Sequence, residues 1–292
     1  MKQQYAHISN LIRNTVVTGL LVLLVCCEDS INLDLPLGSE RIVISGWITN
    51  LEEPYTVSVS RTVGFNDQTT KPGISGAEVY VVDRFSNRYD FLETSHTGIY
   101  QSNQNEFKGT PGNAYILHVN IEDGSEYYSS WEVLNAVPDL DTVFFETFFN
   151  PELPITDPNS KVYFTKGSID DIPVVRNYYR WKMYINDTLR SRPEELVIFD
   201  DKFTNGNVFE TKVTDILLKS GDKLKLEQWS LSQGAFDYYS LLVSQIKNDQ
   251  VGPNTPPSTV KGNIYCLGDP EELVLGYFGA SEITVKYAEV SP

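Results

Sequence analysis

The residues with the most specific chemistry sit together near the start of the chain, at Leu24-Val25-Cys26-Cys27. A thiol directly behind a short apolar run is placed to carry a lipid. Residues 1–26 hold no acidic side chain, and Lys2 and Arg13 are their only charges. The apolar run, loose from Val16 and dense from Leu20 to Val25, is far short of the ~18–20 apolar residues that cross a membrane. It has the length of a signal-peptide core. The ending resembles a lipobox, in which an aliphatic residue precedes two smaller ones and the modified cysteine. A cut before Cys27 puts Cys26 in the small position, whereas a cut before Cys26 puts the bulkier Val25 there. Cys27 is therefore the expected lipidation site and Cys26 the alternative. One acyl chain anchors only marginally, at ~0.8 kcal/mol per buried CH₂, so the two or three chains of a bacterial lipoprotein are what make attachment permanent.

Glu28 and Asp29 follow at once. They resemble the acidic surface-export signal of Bacteroidetes lipoproteins, and residues 27–39 read as an acidic tether. Asp29-Ser30-Ile31, Asp141-Thr142-Val143 and Asp187-Thr188-Leu189 resemble the Bacteroidetes O-glycosylation pattern, which makes Ser30, Thr142 and Thr188 candidate acceptors.

Beyond residue 27 the other chemistry-bearing side chains are sparse. His96 falls in a loop and His118 in an alternating strand, and both read as structural or solvated rather than catalytic. Cys266 has no cysteine left to pair with once Cys27 carries lipid. No Gly-x-Ser-x-Gly, His-Glu-x-x-His or Gly-x-x-x-x-Gly-Lys motif occurs, and no Cys/His spacing matches a zinc site. Asp170-Asp171 and Asp200-Asp201 are adjacent carboxylates. Neighbours on a strand point to opposite faces, so neither pair alone meets the facing geometry, ~5–9.5 Å across, of a glycosidase. Acidic loops such as Asn150 to Ser160 lack the spacing of an EF-hand. No catalytic residue, metal or cofactor is assigned.

The formal net charge is −16, and removal of residues 1–26 would make it −18. A phosphate backbone demands Lys and Arg stripes, and none exists, so nucleic acid is not an expected partner. Acidity of this kind serves solubility.

The elements that must position these residues are mostly strands. Tyr (17) and Phe (14) are abundant, with Val, Ile and Thr in short runs that favour strands. Runs at Arg41 to Ile48, Tyr55 to Ser60, Ala77 to Asp83, Asn87 to Phe91, Gly98 to Tyr100, Ala114 to Val119 and Glu126 to Ser130 are separated by turn residues. They predict an antiparallel sandwich over 40–136. Its Gly76, Gly98 and Gly112 phrases resemble the immunoglobulin-like modules called carboxypeptidase regulatory-like domains. Ala136 to Asp141 is the expected boundary. A second β-sandwich is expected over 137–292, with strands at Thr142 to Glu146, Tyr178 to Ile185, Leu196 to Asp200 and Lys223 to Trp229. It carries one helix at about 231–248, capped by Ser230 or Ser232, with Leu231, Ala235, Phe236, Tyr239, Leu242, Val243 and Ile246 at helical spacing. A last pair of strands is expected near Val260 to Ile264 and Gly276 to Ser281.

An ordered set of phrases then carries a family resemblance: Ile31-Asn32-Leu33-Asp34-Leu35-Pro36, Ile44-Ser45-Gly46-Trp47-Ile48-Thr49-Asn50, Tyr178-Tyr179-Arg180-Trp181, Phe199-Asp200-Asp201-Lys202-Phe203, Ala235-Phe236-Asp237-Tyr238-Tyr239, Val260-Lys261-Gly262-Asn263-Ile264 and Leu275-Gly276-Tyr277-Phe278-Gly279-Ala280-Ser281. Together they resemble the DUF4249 family of Bacteroidetes outer-membrane lipoproteins. That resemblance implies a surface-exposed, lipid-anchored, non-enzymatic accessory or binding partner of a TonB-dependent outer-membrane receptor. Two other roles stay open, a structural or assembly subunit of a cell-envelope machine and a carboxylate-dependent hydrolase.

Overall fold

The computed structural model of the chain describes residues 40–63, 72–103, 107–157, 159–173, 175–248 and 259–291. Cys26, Cys27, Glu28, Asp29 and Ser30 lie outside these. The described strands are β1 (Ile42–Thr49), β2 (Thr56–Arg61), β3 (Glu78–Asp83), β4 (Arg88–Glu93), β5 (Ile99–Ser102), β6 (Ala114–Asn120), β7 (Glu126–Ser129) and β8 (Glu132–Val133). Then come β9 (Leu140–Phe149), β10 (Lys161–Asp170), β11 (Tyr178–Ile185), β12 (Thr188–Leu189), β13 (Val197–Asp200), β14 (Val208–Leu218) and β15 (Lys223–Leu231). Helix α1 (Gln233–Asn248) precedes β16 (Ile264–Cys266), β17 (Phe278–Ser281) and β18 (Ile283–Glu289). The protein is mainly β, with this one helix among the described residues apart from a 3-10 turn at Pro193–Glu195.

The first eight strands form a mostly antiparallel sheet because their apolar residues alternate. In β1 the buried residues include Ile42, Ile44 and Ile48, and in β6 they include Tyr115, Leu117 and Val119. Both sets face one core, shared with Val57, Val59, Val79, Val81, Phe91 and Tyr127. Each such side chain contributes ~1.5–3 kcal/mol by leaving water.

Two late strands complete this sheet. Its order is β16-β7-β6-β3-β4-β5-β2-β1-β17, with β8 on β6. The expected pairing of the segments near Val260 to Ile264 and Gly276 to Ser281 is not what forms. β16 pairs with β7, Ile264 opposite Ser129, and β17 runs parallel to β1, Gly46 opposite Phe278. Each has three to four residues and no turn joining it to the other, so each adds to a longer existing edge.

The sheet is nearly closed, and a side chain bridges the remaining gap. Asn263 Nδ2 donates to the Phe278 carbonyl at 2.9 Å, and the Phe278 amide donates to Asn263 Oδ1 at 2.9 Å. The carboxamide thus takes the place of a neighbouring backbone and satisfies the β17 edge. The chain comes so close here that a Cβ at Gly262 would strike the Gly276 carbonyl.

Three long strands, in the order β14-β10-β9, make a second sheet. β12, β11, β15 and β18 make a third, with β13 on β11. Their common core holds Leu140, Ile169, Trp181, Met183, Val213, Ile216, Leu224 and Leu226. Neither β10 nor β14 is marked by a clean apolar alternation. β10 carries Gly167, where a Cβ would lie 2.6 Å from the Trp181 ring, and its pairing with β14 slips between Phe164 and Thr165. β17 and β18 are nearly continuous, so the C-terminal chain passes from the first sheet into the third. Ser230 holds the crossing: its Oγ donates to the Asn135 carbonyl at 2.7 Å and accepts from the Glu282 amide at 2.9 Å. Asn50 grips the same stretch, accepting from the Ile283 amide at 2.8 Å and donating to its carbonyl at 3.2 Å.

Candidate functional site

Helix α1 starts where Ser232 Oγ accepts from the Ala235 amide at 3.0 Å, an N-cap bond. Its apolar stripe has two uses. Ala235 and Tyr239 join Leu231 and Tyr277 in a third buried cluster. Tyr239, Leu242 and Ile246, further along the same face, form one wall of a cleft of about 280 Å³. The opposite wall is β11 and the hairpin that follows. Asn186 and Asp187 turn that hairpin with positive φ (50° and 63°), and Leu189, Arg190, Ser191, Arg192, Pro193 and Leu196 complete the lining.

Because β11 alternates, Arg180 and Lys182 project from the face opposite the buried Tyr179, Trp181 and Met183. Both line the cleft, with Arg190 and Arg192, so that four cations face one lining carboxylate, Glu195. Glu195 is committed to the hairpin. Its Oε1 accepts from Arg190 Nη2 at 2.5 Å and Arg192 Nη2 at 2.7 Å, and its Oε2 accepts from the Arg192 amide at 3.0 Å. Burial opposes its charge, but the bonds from Arg192 and Arg190 prevail and hold the carboxyl below its usual range.

The other two cations rest on aromatic rings. The Arg180 guanidinium lies 4.6 Å from the Tyr239 ring centroid, and its Nη1 donates to the Tyr239 hydroxyl at 2.6 Å. Its Nε is buried with no partner among the described residues. Lys182 Nζ sits 3.3 Å from the Trp229 ring centroid. Burial pushes its ammonium down to about 7, and the Arg180 charge adds to this, while Glu227 and Glu53 act in the opposite sense. Glu227 is opposite Lys182 on β15, but its carboxylate is taken by Lys225 at 2.7 Å and by Trp229 Nε1 at 3.0 Å. The cleft therefore offers N–H donors and positive charge over an apolar floor.

Behind the cleft the aromatic rings lock the elements together. Trp47 of β1 stacks on Tyr239 (6.1 Å, 18°) and Tyr277 (6.2 Å, 24°) and meets Trp229 edge-on (5.9 Å, 81°). Tyr178 packs on Phe236 at 4.9 Å. Trp47 lies flat against Gly279, where a Cβ would strike its ring. Glu132 is buried beneath them, accepting from the Tyr277 hydroxyl at 2.6 Å and from Asn263 Nδ2 at 3.2 Å. Burial raises its pKa.

The residues singled out from sequence are scattered. Thr142 lies exposed on β9 and Thr188 exposed on β12, at the hairpin that edges the cleft. His118 stacks on Tyr80 at 4.9 Å, with burial lowering its pKa, and His96 is exposed. Cys266 is a buried free thiol. One member of each aspartate pair is brought to a shared place: Asp171 accepts from the Tyr179 hydroxyl and from the Gly206 amide, and burial, then Asp171 beside it, raises the Asp201 carboxyl. Both are buried, which makes the pair a clamp on the loop between β13 and β14. Arg180 and Lys182 escaped sequence reasoning as site residues. The available signal was two cations two apart on a strand whose other face is apolar.

Residues from several of the ordered phrases thus meet in space: Trp47, Tyr178, Phe236, Tyr238, Tyr239 and Tyr277 pack together, with Asn263 bonded to Glu132 beneath them. No curated protein matches the chain. A family model described as a domain of unknown function, DUF4249, matches residues 28–287, and the chain belongs to that family.

Proposed function

For this DUF4249 member we propose a non-enzymatic binding role at the cell envelope: an accessory lipoprotein, tethered through Cys27, that serves a TonB-dependent outer-membrane transporter. The observation that carries this reading is the cleft between α1 and the β11–β12 hairpin. Its donors are held ready by rings and by Glu195, so binding there needs little rearrangement. The lipobox and the Glu28-Asp29 signal support an outer-membrane location facing the exterior in a Bacteroidetes-type cell. Exposed Thr142 and Thr188 suit O-glycosylation on such a surface. We read β1–β8 as an immunoglobulin-like module of the carboxypeptidase regulatory-like kind and the β9–β15 region as a second sandwich. The mostly antiparallel pairing of neighbouring strands supports this.

A deletion strain tests the role. Loss of uptake of one nutrient class with an intact envelope is the expected result. General envelope defects with unchanged uptake would favour the assembly role instead.

A further inference from the structure

The chemistry of the cleft narrows what it takes. In a chain of net charge −16, the lining gathers Arg180, Lys182, Arg190 and Arg192 against Glu195 alone. Two guanidiniums share that carboxylate. Arg180 and Lys182 have no ion-pair partner among the described residues and hold their charges against Tyr239 and Trp229 instead. An unpaired charge at a half-buried site is costly. That cost is relieved if an oxyanion docks on the guanidinium of Arg180, a group suited to carboxylate and phosphoryl oxygens. The remaining lining is Leu189, Pro193, Leu196, Leu242 and Ile246, which suits an apolar body. A volume of about 280 Å³ lies just below the ~300–1,000 Å³ span of drug-sized ligand sites, which suits a smaller ligand.

We infer that the cleft binds a small organic oxyanion, its carboxylate or phosphoryl group on Arg180 and Lys182 and its apolar body against Leu242 and Ile246. This rests on the binding role above and names its ligand class.

The test is calorimetric titration of the detergent-solubilised full-length protein with phenylacetate, phenyl phosphate and the neutral phenylacetamide. At least one oxyanion should bind, and the amide should bind ten-fold or more weakly. The tighter of the two acids tells carboxylate from phosphoryl recognition. Arg180→Gln and Lys182→Gln should each weaken the preferred acid about ten-fold, and added salt should weaken it in the unaltered protein, which stands as a readout if a variant fails to fold. Equal binding of amide and acids, binding unchanged in both folded variants, or no binding at millimolar ligand would overturn the inference. Oxyanion binding without any transporter partner would leave the inference standing and sink the accessory role. The reverse result would sink the inference alone.

Discussion

Asn263 and Phe278 are paired side chain to backbone, with both atoms of the Phe278 edge, its amide and its carbonyl, bonded to the Asn263 carboxamide at 2.9 Å. The arrangement joins the two outermost strands of the ten-stranded sheet and places Tyr277 directly over Glu132. The closure also borders the aromatic cluster behind the cleft, since Tyr277 is one of the rings on which Trp47 stacks.

Asn263→Ala removes three buried bonds, two to the Phe278 edge and one to Glu132, and strands the Phe278 amide and carbonyl. A loss of about 2–4 kcal/mol is expected. Urea unfolding followed by tryptophan fluorescence measures it, and a loss below about 0.5 kcal/mol would show that the sheet does not rely on this bridge.

Glu132 gives a pH signature. Its carboxyl is raised above the ordinary value of 4.5 by burial, despite bonds from Tyr277, Ser232 and Asn263. A carboxyl raised in the fold supports stability below its unfolded pKa and loses that support as pH climbs through the folded value. The protein should therefore lose stability as pH rises above about 4.5, and Glu132→Gln should remove that part of the loss. Identical melting-temperature profiles for the two proteins from pH 4 to 8 would contradict it.

Lys182 should make oxyanion binding pH-dependent. Its charge is lost near pH 7 because burial, and then the Arg180 charge, oppose it, while Glu227 and Glu53 favour it. Affinity for the preferred acid should fall several-fold between pH 6 and pH 8.5, and a bound anion should shift the midpoint upward. A flat profile that persists in Lys182→Gln would mean that Lys182 does not meet the ligand. The stability term runs the other way: the unfolded chain holds this proton up to pH ~10.4, so stability gains from Lys182 as pH rises from about 7 towards that value.

Cys27→Ala should release the protein from the membrane pellet or leave it unprocessed. Attachment unchanged in that variant, scored by fractionation and by mass spectrometry of the N-terminal peptide, would point to Cys26 or dismiss the lipid anchor.

Much of the architecture was legible where alternation is strict. Ile42, Ile44 and Ile48 announce an inward face, Asp123-Gly124 and Asn186-Asp187 mark hairpins, and Ser232 caps the helix it precedes. β10 and β14 were not legible. Gly167 in β10 makes sense only once Trp181 is laid over it, and the slip at Phe164 spoils the period. The closure by Asn263 was equally hidden, because a carboxamide that substitutes for backbone has no pattern in sequence. The cleft falls between these cases. Arg180 and Lys182 declare a polar face, but only the packing of α1 turns that face into a wall.

The most direct measurement is co-purification. A tagged full-length copy, expressed in its own cell and drawn from detergent-solubilised outer membrane, should bring down a β-barrel receptor of the TonB-dependent class. It should do so reproducibly and in near-stoichiometric amount. Recovery of the tagged protein with no such receptor, under conditions that keep the membrane complexes intact, would contradict the account.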